Sequence, residues 1–165
     1  MAMGQLSQNK SDGLRSAAIV DGRLEMVLNN RIAAIEDGRR CLVEFLAGQT
    51  LGEVVHHRLE VVFEELVSNT IRHGFTMHSE QSIHVRVEPR PGQIEFTFED
   101  DGMAFNPLQA KPSEPLTSIE TARIGGLGIP LVAKLSADLR YERPVMPAGA
   151  SGFAPRNRLF VAIAK

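Results

Sequence analysis

Two consecutive stretches of strict alternation limit what this chain can fold into. Ile83, Val85 and Val87 alternate with His84, Arg86 and Glu88, and after Pro89-Arg90-Pro91-Gly92 the residues Ile94, Phe96 and Phe98 alternate with Glu95 and Thr97. Side chains on a strand point to opposite faces with a period of two, so each stretch predicts a half-buried strand, and the turn residues between them predict a hairpin. Such a hairpin has one apolar face that needs a cover. The residues upstream offer one. Leu59, Val62, Phe63, Leu66, Val67 and Ile71 follow the i, i+3, i+4, i+7 spacing of a helix burying one face. Thr50 and Glu53 have the spacing of a capping box, so this helix is predicted to begin near Leu51, and Gly74 marks its end near His73.

The other elements follow the same rules. Arg23 to Leu28 reads as a strand with Leu24, Met26 and Leu28 on one face. A helix is predicted from about Arg31 to Ala47, capped by Asn29 or Asn30 and burying Ile32, Ile35, Leu42, Phe45 and Leu46, with Gly38 tolerated inside it. Met103 to Ile124 lacks periodicity and is broken by Pro107, Pro112 and Pro115, the mark of a lid or a disordered segment. Gly125-Gly126-Leu127-Gly128 opens a helix that ends near Ala137 and turns Leu131, Val132 and Leu135 inward. Leu139 to Arg143 and Arg158 to Ile163 read as strands. Residues 1–22 read as a poorly ordered tail, and 23–165 as one domain. Strands paired in hairpins, with helices in separate blocks, predict an α+β fold: a two-layer sandwich with a mixed, mainly antiparallel sheet and helices on one face.

Composition narrows the function classes. A net charge of −2 argues against a general nucleic-acid binder, and zero Trp with one Tyr argues against a base-stacking surface. Cys41 is the single cysteine, which excludes an internal disulfide and a cysteine-built metal site, and its helical apolar setting predicts a buried thiol. No apolar run approaches the ~20 residues of a membrane span, and the first residues lack the apolar core of a signal peptide. These features suit a cytoplasmic protein.

Three clusters can do chemistry. At about 100° per residue, Glu65, Asn69 and Arg72 share one flank of the long helix, whereas Glu64 lies well round the cylinder. A solvated helix flank is the alternative for that cluster. Asp100-Asp101-Gly102 ends the second hairpin strand, where a carboxylate can accept a hydrogen bond from an exocyclic amine or bind a metal; a plain turn is the alternative. The glycine stretch before the third helix allows close backbone approach, and its free N–H groups suit a phosphate, with Arg123 just ahead of it. The five histidines show no zinc-ligand spacing, and no nucleophile elbow is present.

In this order and combination the chain resembles the GHKL ATPase superfamily (gyrase, Hsp90, histidine kinases, MutL). Within it the chain looks most like the anti-sigma-factor serine/threonine kinases of the RsbW and SpoIIAB type. Glu65-Leu66-Val67-Ser68-Asn69-Thr70-Ile71-Arg72-His73-Gly74 resembles the N box, Glu99-Asp100-Asp101-Gly102 the G1 box, and Gly125-Gly126-Leu127-Gly128-Ile129 the G2 box. Ala104 stands at the second glycine of the G1 pattern, and Asn157-Arg158-Leu159 stands near the place of a Gly-Thr box.

The resemblance implies a Bergerat ATP-binding fold with ATP and Mg²⁺ as cofactors. It makes Asn69 the Mg²⁺ ligand and Glu65 the general base. It gives Asp100 and Gly102 to the adenine, and Arg72, Arg123, Gly126, Leu127 and Gly128 to the rest of the nucleotide. It implies a kinase in bacterial partner-switching signalling, whose partners are a sigma factor or other regulator and a small antagonist protein phosphorylated on serine. A homodimer is plausible on the same ground, with no nucleic acid and no membrane as partners. A nucleotide-dependent binding module without phosphate transfer is the alternative. A histidine-kinase catalytic domain is a weaker one, because the N-terminus is too short for dimerisation helices.

Overall fold

The computed structural model describes residues 11–74, 81–109, 128–144 and 156–165. Both alternating stretches are strands, β3 (Ser82–Arg90) and β4 (Gln93–Asp100), joined at Gly92, whose φ of 76° is natural only for glycine. Upstream lie β1 (Leu14–Val20), β2 (Arg23–Asn29), α1 (Ala33–Ala47) and α2 (Glu53–His73). Downstream lie α3 (Gly128–Leu135), β5 (Asp138–Glu142) and β6 (Asn157–Ala164). The six strands form one sheet in the order β1-β2-β3-β4-β6-β5. Among the described residues every pairing is antiparallel, so the sheet is not mixed.

Register aligns the apolar positions in rows across the sheet. Met26 faces Val85, Val85 faces Phe98, and Phe98 faces Leu159; beside that row run Leu24, Val87, Phe96 and Val161. All of these are buried, together with Leu42, Leu46, Leu59, Phe63 and Leu66 from the helices. The helices therefore cover one face, and each large side chain fully buried there contributes about 1.5–3 kcal/mol. Gly38 is tolerated in α1 for a packing reason: a Cβ there would sit 2.5 Å from Cζ of Phe63, so the glycine lets α2 bring that ring in. Cys41 is buried as expected.

The next inward row is not apolar. It runs Leu28, Ile83, Asp100, Asn157. Continuing the alternation of β4 past Phe98 thus places a carboxylate on the covered face, at the C-terminal end of α2.

Several expectations need correcting. Residues 14–20 are not tail: they form β1, paired along β2 through a turn at Asp21 and Gly22, with φ of 51° and 77°. Two successive positive φ values define the turn type that Asp-Gly favours in hairpins, a signal present in the sequence. The segment is also pinned to α1, because Asp37 accepts hydrogen bonds from the Ser11 hydroxyl, the Gly13 N–H and Arg40. The capping box does not form: α2 starts at Glu53 behind an extended Gly52 with no side-chain cap. Neither asparagine caps α1, whose N-cap position is Ile32; Asn29 instead bonds Arg15 and the carbonyl of Asp12. Ile32 is 80% exposed and Leu131 37% exposed, so neither belongs to the core. No helix among the described residues is long and apolar enough to cross a membrane.

Candidate functional site

A cleft opens between the C-terminal half of α2 and the ends of β4, β5 and β6. Its apolar lining comes from Leu66, Phe98 and Leu159, with Phe105 and Pro107 from the segment after β4. Its polar groups are Asn69, Thr70, Asp100, Tyr141 and Asn157. Two predicted site residues, Asn69 and Asp100, thus share one cavity although they lie on different elements. The helix supplies Asn69 because residues three and four apart align along it, and the strand supplies Asp100 by its alternation.

Asp100 is tightly held. Its Oδ1 accepts from the Gly102 N–H at 2.9 Å and from Asn157 Nδ2 at 2.9 Å. Both donors meet the same oxygen, so among the described residues Oδ2 carries no hydrogen bond and remains open to a ligand. Burial pushes the Asp100 carboxyl above the ordinary aspartate range, against the two hydrogen bonds, which favour its charged form. Gly102 is required here by a contact within the fold. A Cβ at Gly102 would lie 1.9 Å from the Gly74 carbonyl oxygen, which accepts a hydrogen bond from the Met103 N–H at 3.0 Å. The turn after β4 is thereby fastened to the end of α2.

Glu65 and Glu64 part as their helix positions predict. Glu64 faces α1, 3.7 Å from Arg39. Glu65 instead turns toward α3: a Cβ on Gly128 would meet its Oε2 at 2.3 Å. Glu65 therefore packs against the first residue of α3 and is not part of the cleft lining around Asp100. Arg72 is exposed and does not line the cleft either. Arg123, Gly126 and Leu127 lie outside the described residues, as does most of the predicted lid. Among the described residues no group of three or more His, Cys, Asp or Glu could hold a metal ion. A cation at Asn69 would thus need further oxygens from a bound phosphate, the usual mode for Mg²⁺.

Residues 28–150 match the Histidine kinase-like ATPase domain family. The chain belongs to this family. It is a GHKL-type ATPase domain, and membership assigns it an ATP-binding, kinase-like role. Among curated proteins it is similar to the serine/threonine-protein kinase BtrW of Bordetella bronchiseptica, at 27% identity over 85 residues, 52% of this chain and 60% of that protein. The match thus spans less than two thirds of the relative. Among solved structures it is similar to the histidine kinase domain of a blue-light activated histidine kinase from Erythrobacter litoralis EL346, with a TM-score of 0.48 and 17% identity over 80% of this chain and 59% of that one.

Two residues that line this cleft were not expected among the site residues, Asn157 and Tyr141. Both were legible in principle. Asn157 continues the inward alternation of Leu159, Val161 and Ile163, and Tyr141 that of Leu139. A polar residue at an inward position, opposite another one, is the signal.

Proposed function

We propose that this protein is an ATP-dependent serine/threonine protein kinase of the partner-switching type, acting in the cytoplasm. It binds a sigma factor or another regulator and phosphorylates a serine on a small antagonist protein. The observation that supports this most is the open Oδ2 of Asp100 in a cleft that also contains Asn69. A carboxylate oxygen there accepts from the exocyclic amine of adenine. Asn69 would hold Mg²⁺ through its side-chain carbonyl oxygen, and the ion would supply neutralisation of phosphate charge. Glu65, one turn earlier on α2, faces Gly128, the first residue of α3; by the family resemblance the backbone N–H groups of Gly126, Leu127 and Gly128, with Arg123, take the phosphates.

ATP bound in the cleft supplies the γ-phosphoryl group. Glu65 is the general base: as the serine oxygen bonds to phosphorus and the bond to the ADP oxygen breaks, the hydroxyl proton passes to its carboxylate. The test is transfer of labelled γ-phosphate to a small candidate antagonist protein with an acceptor serine. Glu65→Ala is expected to slow transfer by about 10²–10⁴-fold and to leave ATP affinity within about twofold. Equal transfer by the variant and wild type would overturn the base assignment. A second reading, a nucleotide-dependent binding module, is favoured by the packing of Glu65 on Gly128 away from the cleft. ATP binding with no transfer to any antagonist would select it.

A further inference from the structure

Asn157 stands directly opposite Asp100 in the β4–β6 ladder and is 6% exposed. Its Nδ2 donates to Asp100 Oδ1 at 2.9 Å and to the Met103 carbonyl at 2.8 Å. Its Oδ1 accepts from the Tyr141 hydroxyl at 2.7 Å and from Arg143 Nη1 at 2.7 Å. A carboxamide has two N–H donors and two acceptor positions on its oxygen, and here all four are used. The environment also fixes which end is which. A guanidinium can only donate, so it needs the oxygen; the carbonyl of Met103 can only accept, so it needs the nitrogen. A flipped amide would lose its bonds to Arg143, Met103 and the Asp100 carboxylate, and only the Tyr141 hydroxyl could turn to accept from it. Arg143 Nη1 lies 3.2 Å from the Gly102 carbonyl as well, which ties the same group to the turn after β4.

This arrangement acts on Asp100. Rotation of the carboxylate would break the bond from Asn157, so the amide holds Oδ1 inward and leaves Oδ2 toward the cleft. A donated N–H also favours the ionised carboxylate where burial opposes it. Because Asn157 has no donor or acceptor left over, it cannot itself read a base.

We infer that Asn157 is the positioning residue that makes Asp100 a reader of the exocyclic amine, and that Tyr141 and Arg143 lock Asn157 in turn. The inference rests on the reading of this cleft as the adenine end of a nucleotide site. It assigns base selection to Asp100 Oδ2 alone and makes that selection depend on a side chain that never touches the nucleotide.

The test compares ATP with purine riboside triphosphate, which lacks the amine, in calorimetric titrations across pH. Wild type should prefer ATP by about tenfold or more. Asn157→Ala should weaken ATP binding by at least about tenfold, change affinity for the amine-free analogue little, and move the acid fall-off of ATP affinity to higher pH. Loss of a merely structural contact would lower both affinities together. Asn157→Thr, whose hydroxyl can still donate to Asp100, should recover most of the preference for ATP. Tyr141→Phe, which removes one anchoring bond and little volume, should reduce the preference a few-fold, and it decides the matter if Asn157→Ala does not fold. A wild type that fails to bind ATP, or binds both triphosphates equally, overturns the adenine reading and the inference with it. A wild type that discriminates, beside variants with the same preference and the same pH profile, overturns the inference alone.

Discussion

Asp100 and Asn157 are polar residues on the one face of the sheet that is otherwise apolar, and their pairing explains why that is tolerated. Asp100 Oδ1 and both ends of the Asn157 amide find partners, while Asp100 Oδ2 carries no hydrogen bond among the described residues and belongs to a side chain that lines the cleft. Asp100→Asn separates the cost of the charge from its use. The amide oxygen can still accept from Gly102 and Asn157, while the nitrogen takes the place of Oδ2 and presents a donor where an amine must also donate. ATP affinity should fall by about 1.5–3 kcal/mol, roughly 10- to 100-fold, measured by titration. Stability should move the other way. The Asp100 carboxyl titrates above its ordinary value because it is buried. Between the ordinary value, about 3.9, and the raised one the native state holds more protons than the unfolded state, so its contribution to stability is present at low pH and lost as pH rises. The variant lacks that loss, and its melting temperature should exceed that of wild type by more at pH 7 than at pH 4. The place of Asp100 on the covered face and the different directions of Glu65 and Glu64 were legible in the sequence because strand and helix periods fix direction. Asn157 was placed near the Gly-Thr position but given no role, because its meaning lies in a pairing 57 residues away in the chain.

The elements were legible where a periodic apolar pattern met a packed face, and less so at their ends. The stripe from Leu59 to Val67 is buried as read, whereas Thr50 and Glu53 have capping-box spacing and make no cap, since the helix starts behind Gly52. Spacing alone does not say which residue turns into the helix. The end of α2 at His73, with Gly74 as its C-cap, is as read, but the Gly74 carbonyl also makes a contact no local pattern reveals, against the Cα of Gly102. Gly102→Ala would force a Cβ into that carbonyl, and backbone on both sides has little room to give. The expected cost is about 1–3 kcal/mol, seen as a lower melting temperature, with weaker ATP binding because the same turn donates to Asp100. Gly48→Ala is the matched control. Its Cβ would meet only the Phe45 carbonyl at 3.5 Å, an ordinary contact, so its melting temperature should stay close to wild type. Equal melting temperatures and equal affinities for the two variants would show that the turn can move away from α2 and that the fastening has no role.

At the scale of the whole molecule, the correction of largest consequence is at the N-terminus. The segment before Arg23 was read as tail because Ser16, Ala17 and Ala18 blur the alternation, although Asp21-Gly22 signals a hairpin. In the fold its residues 14–20 are the outer strand of the sheet. Leu14 is buried, Ala17 and Ile19 pack on the core, and Asp37 of α1 is satisfied largely by this segment. Removing residues 1–22 would uncover the backbone of β2 along its length, making it a free edge for pairing with other chains. It would also strip two of three donors from a buried carboxylate. Losing Leu14 and those bonds should destabilise the domain by about 3–6 kcal/mol and promote self-association, read by thermal melting and light scattering. Acid titration ties the effect to Asp37. Burial pushes its carboxyl up, but the Ser11 hydroxyl, the Gly13 N–H and Arg40 outweigh this and hold it below the ordinary range. A lowered native value gives stability that is present above about pH 3.9 and is lost as pH falls through the native value. With Ser11 and Gly13 gone, burial loses its main opposition, so the truncated domain should lack most of this acid-sensitive stability and show a flatter acid limb than the full chain, from a lower starting stability. Asp37→Asn in the full chain should flatten the acid limb without freeing the sheet edge, and so should not self-associate. A truncated domain that melts within about 2 °C of the full chain, a small shift beside that several-kcal/mol cost, with the same acid limb, would return residues 14–20 to the status of a tail.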